Sequence, residues 1–125
     1  MTFELIFLRL VHVLGGIFWV GSILFNAIFL IPALAASGAD AGRVMSALKA
    51  RRMTTYLPAV ALLTILSGLR LLWITSGGFT ASYIHSPRGM AFSIAGTSAA
   101  IAFLCAMLVV RPTGARLAVL AASRS

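Results

Sequence analysis

Leu5-Ile-Phe-Leu-Arg9-Leu-Val-His12-Val-Leu-Gly15-Gly16-Ile-Phe-Trp19-Val-Gly21-Ser-Ile-Leu-Phe-Asn26-Ala-Ile-Phe-Leu-Ile-Pro32-Ala-Leu34 contains only two ionisable side chains, Arg9 and His12. A bilayer core is crossed by about 20 consecutive apolar residues of helix. This run therefore predicts a transmembrane helix longer than it needs to be, one that tilts or projects at one end. Pro32 is expected to kink or end it. Strands are excluded, because an open sheet edge finds no partner in lipid. Ala33-Leu34-Ala35 has the small-residue form of a cleavage site, but the apolar run before it is about twice a usual signal h-region, so an uncleaved first helix is expected.

The rest of the chain agrees with that reading. Of its 125 residues 61% are hydrophobic and 10% charged, and the mean hydropathy is +1.06. A soluble domain carries about a quarter charged residues. A second span is predicted over about 55–75, with Pro58 in its first turn, where a missing N–H costs little. A third is predicted over about 89–110, stopped by Arg111-Pro112. The expected fold class is an all-α integral membrane helical bundle forming a single domain. It comprises three transmembrane helices (about 5–34, 55–75 and 89–110) plus a basic amphipathic or incomplete fourth segment. The segment between the first two spans looks helical from Asp40 to Arg52, as an interfacial helix would. Residues 76–88, with Gly77-Gly78 and Ser86-Pro87, are expected to turn rather than fold. The moderately apolar tail from Thr113 to Ala122 is expected to begin a fourth span.

The formal net charge is +8, and its distribution matters more than its size. The loop 35–54 nets +3, the tail +3 and the second loop +1. Basic loops stay on the cytoplasmic side. Three spans put the two rich segments on one side, so the N-terminus and second loop are expected outside a bacterial inner membrane, with loop 35–54 and the proximal tail cytoplasmic. The cations flank hydrophobic spans and meet lipid headgroups; nucleic acid is excluded as a partner. Cys105 has no second cysteine to pair with and lies in an apolar run as a small packing residue.

Arg9, His12, Gly16, Trp19, Ile23 and Asn26 are spaced 3, 4, 3, 4, 3, and share one helix face about 100° wide. Polar side chains inside a span turn toward protein, cofactor or water. Tyr56, Val60, Leu63, Ser67 and Arg70 offer a matching face on the second helix. His12 and Arg70 lie at similar depth from one surface, with Arg9, Arg88 and His85 nearer to it. An imidazole for iron and cations for two propionates are what a porphyrin requires. The candidate cofactor residues are thus His12, Arg9, Gly16, Trp19 and Arg70. His12 and His85 are the candidate metal ligands, with Met90 a weaker choice. The flank left by Gly15 and Gly16 suits either a flat porphyrin or the close approach of another helix. Trp73 reads as an interfacial anchor and Asn26 as a helix–helix hydrogen bonder. Gly96, Ala95, Ala99 and Ala100 on the third helix form small-xxx-small packing pairs.

Arg9-x-x-His12, followed by six residues and Trp19-x-Gly21, resembles the first helix of the CopD-like and HemJ-like bacterial membrane proteins. Thr64-Ile-Leu-Ser67-Gly68 resembles their second helix, and the likeness covers about half the chain. It implies a bundle of four or more spans. In HemJ-like proteins the His matching His12 is implicated in haem b binding, with protoporphyrinogen oxidation as the activity; CopD-like proteins are associated with copper uptake. The chain departs from the HemJ-like pattern after the Trp, where Phe25-Asn-Ala-Ile-Phe replaces a Pro-Arg-Leu-Phe segment. It also lacks a clear fourth span.

Three functions follow as expectations. The first is a haem b protein handling electrons or porphyrin. The second is an accessory subunit packed against other membrane subunits or further copies of itself. The third is copper passage. Glu4 and Asp40 are the only carboxylates, so acid–base chemistry would rest on His12 alone.

Overall fold

The computed structural model describes residues 2–124, with the backbone alone at position 121. The described residues are helical or in turns, and three helices are long and apolar enough to cross a membrane: Phe3–Ala36, Met53–Thr75 and Pro87–Leu120. The chain divides into two compact units, Met1–Leu71 and Leu72–Ser125.

In the first unit, α1 (Phe3–Phe25) runs through a π-helical turn, Asn26–Leu30, into α2 (Ile31–Ala36). Pro32 therefore neither ends the helix nor stands in regular α geometry. The Ile31 N–H donates to Asn26 O, five residues back. A proline ring collides with the carbonyl four residues before it, and one widened turn just upstream makes room for it. A single 3-10 turn, Gly38–Asp40, leads to α3 (Ala41–Ala50), which is the helix expected between Asp40 and Arg52. Helix α4 (Met53–Thr75) then returns antiparallel to α1. Pro58 lies inside α4 rather than in its first turn, because the helix starts at Met53.

The second unit begins in the last turn of α4. Turns over Gly77–Phe79 lead to α5 (Ala81–Ile84), a single helical turn where only turns were expected. Trp73 packs edge-on against Phe79 with ring centroids 5.1 Å apart. Ser86 caps α6 (Pro87–Cys105) by accepting from Gly89 N, an N-cap placed directly before Pro at the first helical position. The helix does not stop at Arg111-Pro112. A second π-helical turn, Ala106–Val110, carries it into α7 (Arg111–Ser123), with the Arg111 N–H on Ala106 O. The offset from π turn to proline is the same as at Pro32, and so is the physical reason. The tail is thus a continuation of the third helix and not the start of a separate fourth span. Cys105 is exposed rather than packed.

Leu10, Val13, Leu14, Ile17 and Phe18, on the outer side of α1, are each more than half exposed. Water would not tolerate such a surface on a small monomer; lipid does. Because acyl chains are as apolar as leucine, the helices cohere through close packing and hydrogen bonds rather than hydrophobic exclusion.

Candidate functional site

Helix α1 turns its least exposed side chains toward α4: Leu5, Leu8, His12, Gly15, Trp19, Ser22 and Asn26. That seam is rotated by about 40° from the polar stripe read off the sequence. His12, Gly16, Trp19 and Asn26 remain at or beside it, and Trp19, at 8% exposure, is the most enclosed large side chain described. Arg9 and Ile23 fall on the exposed side. The face of α4 is displaced by about one residue's rotation. Ala61, Thr64 and Ser67 are buried, whereas Tyr56, Leu63 and Arg70 are exposed.

His12 sits in a close approach of the two helices. Its Nδ1 is 2.7 Å from the backbone oxygen of Thr64. A carbonyl oxygen only accepts, so Nδ1 carries the hydrogen, and in the neutral ring the lone pair resides on Nε2. Ser67 Oγ donates to the same oxygen at 3.0 Å and lies 3.5 Å from Nδ1. The ring lies over Gly68: a Cβ added there would come within 2.5 Å of Cε1 and 2.9 Å of Nδ1. Gly68 thus makes the slot that admits the imidazole. One turn further along α1, a Cβ on Gly15 would meet Thr64 Oγ1 at 2.5 Å, and one on Gly16 would meet Thr64 Cγ2 at 3.7 Å. The glycine flank is therefore not free for a porphyrin. Thr64 fills it, with its hydroxyl turned back onto Val60 O at 2.8 Å.

Nε2 is the open side of the ring. No residue described hydrogen-bonds to it, and no side-chain nitrogen described is both buried and unpartnered. It is therefore not fully enclosed. A ligating imidazole characteristically donates its other N–H to a carbonyl or carboxylate, which fixes tautomer and orientation. Nδ1 on Thr64 O meets that requirement, so His12 would hold an iron ion through Nε2.

Arg70 does not converge on His12. Its Nε donates to Glu4 Oε1 at 3.0 Å, and NH2 approaches the same oxygen at 2.8 Å, both side chains being about half exposed. The contacts of Gly68 and Gly15 put the Arg70 backbone level with about residues 9–10 of α1. Its guanidinium therefore extends more than a turn outward to the carboxylate, as long cationic stems do near helix ends. Sequence reasoning missed Glu4 as this partner. The signal was present, since Glu4 is the one carboxylate near that end of the span.

The remaining candidates, His85 and Met90, belong to the second unit. His85 is exposed, with Nδ1 on Ala81 O at 2.8 Å, and Met90 is exposed on α6. No group of three or more His, Cys, Asp or Glu side chains that would hold a metal ion comes together among the described residues. No protein-family model, curated protein or solved structure matches this chain.

Proposed function

We propose that this membrane protein binds haem b through Nε2 of His12 and serves electron or porphyrin handling in a bacterial inner membrane. One observation carries the reading: an imidazole lone pair, oriented by Nδ1–H on Thr64 O, stands on an apolar helix pair with no hydrogen-bond partner among the described residues. An unsatisfied polar group at that depth costs free energy, and iron is one acceptor of such a lone pair. Arg9 stands about one turn nearer the helix start on the exposed side of α1, and Arg70 is ion-paired with Glu4. Bound haem would supply one-electron chemistry. The chain itself contributes the orientation of the ring and the exclusion of water.

The test is the absorption spectrum of the full chain purified in detergent and supplemented with haem. A Soret band that His12→Ala removes is expected. A wild-type protein that stays colourless, or a band that His12→Ala leaves intact, refutes the proposal.

A second reading has its own support. Thr97 and Ser98 on α6 are exposed, and a Cβ on Gly96 would meet nothing within 4 Å. Small and hydroxylated residues on an open face suit a lateral partner in the membrane. In this reading the chain is an accessory subunit, and His12 Nε2 accepts a donor from a neighbouring helix. Stoichiometric co-purification of larger subunits from native membranes, with no haem, would select it. For orientation, the charge pattern supports a cytoplasmic loop 35–54. A cysteine placed at Ser82 in a Cys105→Ser background should react with an impermeant reagent from the periplasmic side; labelling only from the cytoplasm would reverse the assignment.

A further inference from the structure

The opposite end of the first unit carries a feature that the His12 site does not use. Between α1, the π-helical turn and the start of α4 runs an open groove of about 490 Å³. Ile17, Gly21, Phe25, Asn26, Leu48 and Leu57 are among its walls. It starts near the middle of α1 and ends where α3 joins α4. Leu48 and Met53 both line it, and the residues between them include Lys49, Arg51 and Arg52. These three cations make no ion pair among the described residues, whereas Arg43 is paired with Asp40 at 3.7 Å. Arg52 has φ +58°, the left-handed conformation that costs a side-chain-bearing residue about 1–2 kcal/mol and glycine nothing. That turn lies in the short connection between Leu48 and Met53, both of which line the groove.

We infer that this groove binds one anionic diacyl phospholipid, with an acyl chain along the apolar walls and the phosphate at Lys49, Arg51 and Arg52. The order of chemistry along the groove, apolar inside and cationic at the helix ends, is that of a lipid in its leaflet. The Asn26 carboxamide adds a polar contact partway along. It is half-buried, reaches the groove, and has no hydrogen-bond partner among the described residues. Its amide is a donor for a glycerol ester carbonyl. The inference is independent of the haem proposal, since it shares none of the His12 contacts.

The experiment is native mass spectrometry of the full detergent-purified chain, titrated with palmitoyl-oleoyl phosphatidylglycerol or phosphatidylcholine. Each engaged cation should favour the anionic lipid by about fivefold, with one lipid bound per chain. Lys49→Gln/Arg51→Gln/Arg52→Gly should bring the two lipids to equal affinity; Arg52→Gly also relieves the backbone rather than straining it. Gly21→Leu, at a position where a Cβ meets nothing within 4 Å, should fill the groove and abolish binding of both lipids while the basic run stays intact. Unchanged circular dichroism would confirm that both variants fold. The inference fails if wild-type protein shows no preference for phosphatidylglycerol, if Gly21→Leu binds lipid as wild type does, or if a second copy of the chain takes the place of lipid in the spectra.

Discussion

Replacing Gly68 with Ala probes one of the tight points of the α1–α4 seam. The added Cβ would stand 2.5 Å from His12 Cε1 and 2.9 Å from Nδ1. Carbon atoms settle at about 3.5–4.0 Å, so the ring must withdraw by about 1 Å. The 2.7 Å bond from Nδ1 to Thr64 O then lengthens beyond useful hydrogen-bond range. An interhelical hydrogen bond in a membrane contributes about 0.6–2 kcal/mol. Residual overpacking adds about 1–3 kcal/mol, and the better helix propensity of Ala offsets about 1 kcal/mol. The expected net cost is about 0.6–4 kcal/mol. His12→Ala removes the ring, so Gly68→Ala introduced into that background should become neutral or stabilising by up to about 1 kcal/mol. Reversible unfolding in mixed micelles, followed by helical circular dichroism, gives the four corners of the cycle. Costs that add to within about 0.5 kcal/mol would refute the claim that Gly68 exists to admit this imidazole. If haem binds at Nε2, Gly68→Ala should also shift the Soret band, because it moves the ring without removing it.

Other glycines should behave differently. Gly15→Ala presses on Thr64 Oγ1, an oxygen of a buried β-branched side chain bonded to Val60 O, so its cost is expected at about 1–3 kcal/mol; Gly96→Ala meets nothing and should stabilise the detergent-solubilised chain by up to about 1 kcal/mol. The same unfolding assay ranks them, and an equal cost at both sites would contradict the seam. Glu4→Gln and Arg70→Gln should each cost no more than about 1 kcal/mol and be non-additive, with the coupling weakened by salt, as for a half-exposed pair. A coupling indifferent to salt would mean that the pair is shielded from water. Pro32→Ala restores an N–H and removes the ring, so the π turn should relax to α geometry and rotate the following residues by about 100°. Cysteine accessibility across Ile31–Ala36 would show that rotation, and an unaltered pattern would separate the π turn from the proline.

The residues themselves explain how far sequence reasoning reaches here. His12 could be placed at the seam because an imidazole in a span has few tolerable surroundings, and Thr64-Ile-Leu-Ser67-Gly68 proved to be the segment that receives it. The rotation of both faces could not be read. Assigning Arg9 and Arg70 to the interior assumes that polarity selects the inner face, but both stems are long enough to reach outward, and Arg70 does so to Glu4. Smallness selects this seam instead: Gly15, Ala61 and Gly68 let the backbones approach. Pro112 misled for a related reason. A proline reads as a stop, yet a single five-residue hydrogen bond before it lets a long apolar helix continue.

Sequence alone determined that the fold is all-α, with three helices among the described residues long and apolar enough to cross a membrane, because the length and apolarity of a span are set by bilayer thickness and need no knowledge of neighbours. Tertiary structure decided which atom of His12 is committed and which is free, which carboxylate holds Arg70, and that the glycine flank is filled by Thr64. Those depend on helix rotation and register, and in lipid these are chosen by close contact between particular side chains rather than by a hydrophobic pattern that one-dimensional reading detects.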